Sequence, residues 1–288
     1  MFRSAIMKTG LVLEGGGMRG LFTAGVLDVL MKNKIEFDGL VGVSAGAAFG
    51  CNFKSNQADR ALRYNLRFCH DKRYCSFRSL IKTGDLFGAE FCYHTIPDEL
   101  DKFDKEAFDN SPVDFFVVCT DLHTGKPIYK KLDKAGYETN EWIRASSSLP
   151  LVSKPVKLEG KMLLDGGISN SIPLEFFENE GYDKIVVVLT QPRSYTKKKS
   201  STAKLMHLKL RKYPELIKAM DTRPDVYNQS RDYVFSREKE GKIFVLCPDN
   251  SLPAGRVEHN PEILQKTYDI GVKTTKINLK HLKDFLQD

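Results

Sequence analysis

Ser44 stands between two glycines in the segment Gly42-Val43-Ser44-Ala45-Gly46. An apolar run precedes the serine and small residues follow it, which predicts a buried strand, a sharp turn and a helix with Ser44 at the turn. In such a nucleophile elbow the turn projects the hydroxyl, and the glycines leave room for neighbouring chain. The chemistry would be nucleophilic attack on an ester carbonyl. An ordinary strand-to-helix turn has a similar pattern, so the functional interpretation requires partner residues.

A glycine-rich loop, Gly15-Gly16-Gly17-Met18-Arg19-Gly20, joins the predicted strand Gly10–Glu14 to a predicted helix. Backbone N–H groups in such a loop, at the positive end of a helix dipole, stabilise an anion. The anion is either a dinucleotide phosphate or the oxyanion of a tetrahedral intermediate. The dinucleotide fingerprint needs an acidic residue at the end of the second strand, and here that strand ends at Ser44. The oxyanion interpretation is therefore favoured.

The third candidate is Asp165, which follows the apolar segment Lys161–Leu164 and precedes Gly166 and Gly167. An aspartate in this position is often only a turn former. Beside Ser44 it would accept the serine proton, although an ordinary Asp, with a pKa of ~3.9, is a weak base for that purpose. Burial that raises the pKa of Asp165, or close alignment of its carboxylate with the Ser44 hydroxyl, would make it an effective base.

Apolar runs predict the strands that would position these residues. Besides the two strands already named, we expect strands at 115–120, 127–131, 154–158, 161–164, 184–189 and 242–246. Two consecutive strand-to-helix turns of a parallel sheet lie at the same edge, so the glycine-rich loop should face Ser44. Between residues 52 and 110 we expect helices at 58–68 and 98–108, with aromatic residues that pack on the sheet or line an acyl-chain pocket. These aromatic residues are Tyr74, Phe77, Phe87, Phe91 and Tyr93.

Four motifs, in this order along the chain, resemble the signature of the patatin-like phospholipase family, in its bacterial type. They are Gly15–Gly20, Gly42–Gly46, Ala145-Ser-Ser-Ser-Leu-Pro150 and Asp165-Gly166-Gly167. The resemblance implies an α/β fold, a three-layer α/β/α sandwich with a mostly parallel central sheet, over residues 9–190. It also implies a Ser44–Asp165 dyad without a catalytic histidine, no cofactor or metal, and hydrolysis of phospholipid or lysophospholipid acyl esters. Residues 191–288 would be a C-terminal extension that packs on the same domain and is a candidate membrane-facing part.

With Ser44 as nucleophile, the N–H groups of Gly16, Gly17 and Met18 would hold the oxyanion. Arg19 would add charge to this loop or, in the manner of the family, anchor it. One alternative to the Ser44–Asp165 dyad is a Ser-His-Asp hydrolase, in which a histidine follows the acidic residue in the chain. His207, His259 and His281 do follow Asp165. His123, in a turn after a strand, is a further candidate histidine. In that fold, however, the elbow follows several strands, and none of the six histidines stands in a motif. The other rival is a non-catalytic lipid-binding protein, which would be expected to have lost Ser44, Asp165 or a glycine of the loop.

The positive charge of the chain is concentrated in one segment. The chain has 288 residues and a net charge of +7, and residues 193–212 contain eight basic residues and no acidic one, which leaves 36 basic and 37 acidic residues elsewhere. A solvated loop is one interpretation of Lys197, Lys198 and Lys199, and contact with an anionic membrane is another. Nucleic acid is not expected as a partner, because aromatic or glycine residues are not interleaved with the charges.

The remaining composition indicates a cytoplasmic protein, with peripheral binding at the inner face of the membrane as the further expectation. Hydrophobic residues make up 41% and charged residues 28% of the chain, and no apolar run approaches the ~18 residues of a membrane span. The few apolar residues near the N-terminus do not form a signal-peptide core, so the mature chain should begin near Met1 or Met7. Six cysteines without a C-x-x-C pair predict reduced thiols and no zinc site.

Overall fold

Eight strands form one mixed sheet in the computed structural model, which describes residues 7–199 and 203–287. The strands are β1 (Thr9–Leu13), β2 (Gly39–Val43), β3 (Asp114–Asp121), β4 (Pro127–Lys131), β5 (Val156–Leu158), β6 (Lys161–Asp165), β7 (Lys184–Val188) and β8 (Ile243–Leu246). Hydrogen-bonded neighbours follow the path β5-β6-β3-β2-β1-β7-β8, and β4 pairs along the edge of β3 opposite to β2 and β6. The pairs that join β3, β2, β1, β7 and β8 are parallel, whereas those of β4 and β6 with β3, and of β5 with β6, are antiparallel.

Helices connect most of these strands. They are α1 (Leu21–Lys32), α2 (Ala45–Lys54), α3 (Arg60–Phe68), α4 (Phe77–Thr83), α5 (Lys105–Asn110), α6 (Tyr137–Ser146), α7 (Leu174–Asn179), α8 (Ala203–Lys209), α9 (Pro214–Lys239) and α10 (Pro261–Gln287). Short 3₁₀ turns cover Gly17–Gly20 and Gly166–Ile168, and a wider π-type helix covers Phe91–Leu100. Within the described ranges, no helix has both the length and the apolar character to cross a bilayer.

Helices cover both faces of the sheet. Side chains alternate along each strand, so Leu11 and Leu13 pack in one cluster with α1, α2 and α10, while Val12 packs on the other face in a cluster with α7 and α9. Because both faces are covered, the parallel strands are almost continuously apolar, as in other α/β proteins. The predicted three-layer α/β/α fold with a mostly parallel sheet is therefore confirmed.

The C-terminal third of the chain supplies parts of all three layers. Strand β8 pairs in parallel with β7, α9 lies over one face and α10 packs along α1 on the other. The contact between α1 and α10 is close, because a Cβ atom on Gly271 would overlap the backbone carbonyl of Phe22. The division of the chain at residue 190 stays a prediction.

The helix predicted at 98–108 is wrong. The π-type helix ends at Leu100, and α5 begins only at Lys105. Arg63 forms a two-pronged pair with the Asp101 carboxylate at 2.7 and 2.8 Å, and Arg60 donates to the Asp101 carbonyl at 2.6 Å, which holds this residue outside helical geometry. Asp104 then caps α5, since its Oδ1 accepts the N–H of Ala107 at 2.9 Å.

Candidate active site

The register of β3 brings Ser44 and Asp165 together. Val118 on β3 pairs with Val43, the last residue of β2, and the next residue, Cys119, pairs with Asp165. Strand β4 occupies the other edge of β3 along both stretches, so β2 and β6 lie end to end on the same edge. In the sheet, Asp165 therefore lies next to the C-terminal end of β2, where Ser44 begins the turn.

Ser44 has the backbone geometry of a tight turn at which glycine is normally preferred. Its φ of 56° and ψ of −121° resemble the first central position of a type II′ turn. Its N–H donates to Ser146 Oγ at 2.9 Å, and that hydroxyl donates to the carbonyl of Val118 at 2.6 Å. Its own carbonyl accepts the N–H groups of Ala47 and Ala48, both at 3.0 Å. These bonds hold the serine in a strained conformation, and they explain why the motif that contains Ser146 accompanies the elbow.

The predicted elbow glycines lie where the chain is too crowded for a side chain. A Cβ atom on Gly46 would overlap the carbonyl oxygen of Leu13, at the end of β1, and one on Gly42 would lie 2.6 Å from the backbone N and Cα of Ala47. The start of α2 can thus pack directly against the ends of β1 and β2, and its N-terminus points to the site.

Because Ser44 is strained, we expect Ser44→Gly to be more stable than Ser44→Ala. Strain at such a position costs about 1–3 kcal/mol, which glycine does not incur, while the additional freedom of glycine in the unfolded chain costs about 0.4–1 kcal/mol. A gain of about 1 kcal/mol should appear as a higher urea midpoint at an unchanged m value. Equal midpoints for the two variants would show that the turn is not strained.

Asp165 is buried, with 2% of its surface exposed, and its Oδ1 accepts the Gly167 N–H at 2.7 Å. Burial raises the pKa of this carboxyl, and the charge of Arg223, the Ser44 hydroxyl and the Gly167 N–H oppose that rise in decreasing order. The site therefore holds a carboxyl of raised basicity next to a serine.

The two glycines after Asp165 allow neighbouring groups to lie close to this turn. A Cβ atom on Gly166 would overlap the carbonyl of Val118, and one on Gly167 would lie 3.0 Å from Asp165 Oδ1 and 3.2 Å from Arg223 Nη2. The backbone around Asp165 is fixed from both sides, since its N–H donates to Ser148 O at 2.8 Å and its carbonyl accepts Thr120 Oγ1 at 2.8 Å.

The glycine-rich loop faces Ser44. A Cβ atom on Gly15 would lie 2.8 Å from the Cβ of Ser44, and Gly17 has a φ of +59°. In the described part of the chain, the N–H groups of Gly15 and Gly16 donate to no protein acceptor. The loop thus has N–H groups without a protein acceptor beside Ser44, and their role in an oxyanion hole stays a prediction.

Other residues of the loop have different roles. The Met18 N–H donates to the carbonyl of Arg256 at 3.1 Å and its side chain is buried, so this N–H, predicted as an oxyanion donor, is not free in the structure. A Cβ atom on Gly20 would lie 2.8 Å from Ala45 Cβ and from the Phe49 ring, so this glycine serves close packing on α2. Arg19 lines the cavity beside the loop.

Sequence analysis missed Glu14, which ties the loop to the C-terminal third. This buried carboxylate accepts the N–H of Thr190 at 2.6 Å and the hydroxyl of Tyr227, on α9, also at 2.6 Å. Thr190 Oγ1 in turn donates to the Gly15 carbonyl at 3.0 Å. An acidic residue at the end of an apolar strand, directly before a glycine-rich loop, could have drawn attention to Glu14. Its partner Tyr227, however, is 213 residues away in the sequence.

A cavity of about 390 Å³ adjoins Ser44, Asp165 and the glycine-rich loop. Much of its lining is apolar and comes from α2, α3 and the region up to Phe103. Of the five aromatic residues considered above, Tyr74, Phe87 and Tyr93 line the cavity. Phe77 is 79% exposed, and Phe91 is buried against Phe68 at a ring distance of 5.3 Å.

Five cationic residues line the same cavity. Lys197, Arg223 and Arg256 come from the C-terminal third, and the others are Arg19 and Arg60, of which Arg60 pairs with Asp101. Sequence analysis places Lys197 in a solvated loop or on a membrane, whereas its Nζ lies over the Tyr227 ring at 3.8 Å, inside the cavity. The membrane assignment is therefore corrected for Lys197. Lys198 and Lys199 are exposed, and membrane contact through them stays a prediction.

None of the six histidines, all of which lie in the described ranges, lines this cavity. His207 pairs with Asp221 on the surface, and His259 contacts the carbonyl of Cys69. His123 and His281 are exposed. A histidine base for Ser44 has no support in this arrangement.

Two family models match the chain. A model described as patatin-like phospholipase matches residues 11–177, and one described as a domain of unknown function (DUF6363) matches residues 213–287. Among solved structures, VipD from Legionella pneumophila has 13% identity and a TM-score of 0.49, and the match covers 96% of this chain and 68% of that one.

Curated relatives agree with the first model. The chain is 32% identical over 190 residues to the uncharacterized protein YjjU of Escherichia coli, which covers 64% of this chain and 52% of that protein. It is 27% identical over 181 residues to an uncharacterized NTE family protein of Mycobacterium tuberculosis, covering 59% and 46%. It is 28% identical over 188 residues to lysophospholipase nte1 of Aspergillus fumigatus, covering 62% and 12%. The chain thus spans about half the length of the first two and far less of the third. Since the patatin-like phospholipase model matches more than half of the chain, this protein belongs to the patatin-like phospholipase family.

Proposed function

We propose that this protein hydrolyses acyl esters of phospholipids or lysophospholipids, with Ser44 as nucleophile and Asp165 as general base. The observation that carries the proposal is a strained serine and a buried carboxyl, side by side at a largely apolar cavity. Family membership and the lysophospholipase relatives support lipid acyl hydrolase activity in general. The dyad and the substrate are the parts that we propose.

In the first half of the reaction, Ser44 Oγ attacks the carbonyl carbon while its proton passes to Asp165. The negative charge that develops on the carbonyl oxygen would be held by N–H groups of the glycine-rich loop, of which Gly15 and Gly16 have free donors. Collapse of this intermediate breaks the ester C–O bond, and Asp165 returns the proton to the leaving alcohol. The products are an alcohol and an acyl-Ser44 ester.

In the second half, water attacks the acyl-enzyme and Asp165 accepts the water proton. The same N–H groups hold the second oxyanion, and collapse releases the fatty acid and restores the Ser44 hydroxyl. Asp165 suits this role because burial raises its pKa, which makes the carboxylate a stronger base than an exposed aspartate.

The shape of the cavity supports a lipid acyl group. Its aromatic and aliphatic lining would cover a hydrocarbon chain, since an apolar cavity with a few polar groups at one site is typical of small-molecule binding. A Ser-His-Asp mechanism is less well supported, because the described histidines lie elsewhere. A non-catalytic binding role would leave the strain at Ser44 without a use.

The proposal is tested by labelling the protein with a fluorophosphonate probe and by turnover of p-nitrophenyl octanoate. We expect the label on Ser44, identified by peptide mass, and loss of both label and turnover in Ser44→Ala. Ser194→Ala, at an exposed serine after β7, should behave as the unchanged protein. A folded protein that neither labels nor hydrolyses any acyl ester would contradict the proposal.

A further inference from the structure

The cavity beside Ser44 contains more positive charge than the proposed ester hydrolysis requires. Its lining includes Arg19, Lys197, Arg223 and Arg256, together with Arg60, which pairs with Asp101, but only two acidic residues, Glu14 and Asp165. Glu14 is already bound by Thr190 and Tyr227, and Asp165 by Gly167. The cations therefore outnumber the carboxylates that line the cavity with them.

The four cations other than Arg60 differ in exposure, since Arg19, Lys197 and Arg223 are half-buried and Arg256 is exposed at the edge of the cavity. Among the described residues, none of the four side chains forms an ion pair or donates a hydrogen bond within standard limits. The Nε atoms of Arg19 and Arg223 are buried and have no hydrogen-bond partner at all. Buried polar groups in proteins normally have partners, and an unpaired buried charge is costly. A missing anion would account for the Arg19 and Arg223 groups that lack a partner.

The topology explains how distant residues reach this place. The loops after β1, β2, β7 and β8 leave the same edge of the parallel part of the sheet and carry Arg19, Ser44, Lys197 and Arg256, respectively. Ligands of such sheets bind at the carboxyl edge. Arg223 and Tyr227 are four residues apart on α9, so they share the helix face that lies over this edge.

The direction of Lys197 is fixed by its neighbours. Its N–H donates to Asn228 Oδ1 at 2.9 Å and its carbonyl accepts Asn228 Nδ2 at 3.1 Å, so the backbone is clamped to α9. Its Nζ lies 3.8 Å from the centre of the Tyr227 ring. Lys198, the next residue, is exposed and provides a natural comparison.

We propose that Arg19, Lys197, Arg223 and Arg256 bind the phosphate of the substrate headgroup while the acyl ester lies at Ser44. This inference rests on the proposed function and narrows it to phosphate-bearing lipids. Guanidinium groups present a planar set of N–H donors that matches phosphate oxygens, and three of the four cations are arginines. A neutral glyceride would leave these cations without a partner in the cavity, so the site should discriminate against it.

The same arrangement predicts that binding depends on pH. Burial and the neighbouring charges of Arg223, Arg256 and Arg19 lower the pKa of Lys197 to about 7, and the charge of Glu14 opposes them. Tyr227, which also faces Lys197, keeps its proton because burial raises its pKa. A bound phosphodiester favours the protonated lysine, so affinity should be greatest below pH 7 and should fall as the pH rises above 7.

The test measures binding to the Ser44→Ala protein by calorimetry, so that it does not depend on hydrolysis. The probes are 1-O-octyl-glycero-3-phosphocholine, whose ether cannot be cleaved and whose phosphodiester does not titrate between pH 5 and 9, and uncharged 1-O-octylglycerol. We expect the phosphodiester to bind more tightly by about 10- to 100-fold, as for loss of hydrogen bonds to a charged group. Equal affinities of the two ethers would overturn the proposal, even if the dyad is correct.

Substitutions of the cavity cations test whether they cause the preference for the phosphodiester. Lys197→Met should weaken binding of the phosphodiester by about tenfold and remove the loss of affinity above pH 7, whereas Lys198→Met should leave both unchanged. Arg256→Met provides a second variant at the edge of the cavity, in case Lys197→Met fails to fold. Unchanged affinity in both site variants would contradict the proposal. Inorganic phosphate that binds as tightly as the ether would show that the ligand is a free anion and would overturn the assignment to a lipid headgroup.

Discussion

Replacement of Asp165 by asparagine is expected to lower kcat for an acyl ester by about 10⁴-fold, the size of effect seen when the acid of a catalytic triad is lost. Asparagine has almost the same shape and its Oδ1 can still accept the Gly167 N–H, which is 2.7 Å away in the structure. It cannot accept the Ser44 proton. The loss should therefore be chemical and not structural, and kcat should fall while the unfolding midpoint changes little.

Steady-state turnover of p-nitrophenyl octanoate, together with urea unfolding, measures both quantities. Asp121→Asn is a suitable control, because it replaces another buried acid near the end of β3 that lies outside the cavity lining. Its kcat should remain near that of the unchanged protein. If Asp165→Asn retained more than a tenth of the activity, another group would have to be the base.

The pH profile provides a separate measurement on the same pair. The base must be deprotonated, so kcat/KM should fall as the pH decreases through the pKa of Asp165, which burial raises above that of an ordinary aspartate. The charge of Arg223 opposes this rise. Arg223→Gln should therefore move the acid limb to higher pH. A limb that stays in place would show that Arg223 does not act on the carboxyl.

The second large effect is expected at Gly17, where Gly17→Ala should lower kcat by about 10²- to 10³-fold, as for loss of one oxyanion donor. Its φ is +59°, and a Cβ atom would overlap the carbonyl of Arg256. The loop or the Arg256 segment must then move, which strains the bond from Met18 N–H to that carbonyl. Movement of the loop displaces the N–H groups that face the ester oxygen.

Gly241→Ala separates this effect from a general loss of stability. Gly241 also has a positive φ, +69°, but a Cβ atom there would have no neighbour within 4 Å. Both variants should lose about 1–2 kcal/mol of unfolding free energy to backbone strain, and only Gly17→Ala should lose turnover. Full activity in a Gly17→Ala protein would exclude this loop as the oxyanion site.

Much of the sheet and the elbow follow from local sequence. Ser44, Gly15–Gly20 and Asp165 each stand at a change from an apolar run to glycines, and such changes depend on neighbouring residues alone. The positions of β4 and β7 could be predicted closely for the same reason. The helix expected at 98–108 could not, because its interruption depends on Arg60 and Arg63, about 40 residues away.

The sequence by itself determined the fold class, the strand-turn-helix at Ser44 and the family. Only the tertiary structure decided that the Met18 N–H is occupied by Arg256, that Glu14 binds Tyr227, and that Lys197 points into the cavity. A run of lysines indicates charge but not direction, since direction depends on which helix covers the segment. Here α9 crosses the carboxyl edge of the sheet, and it makes residues of the C-terminal third part of the candidate site.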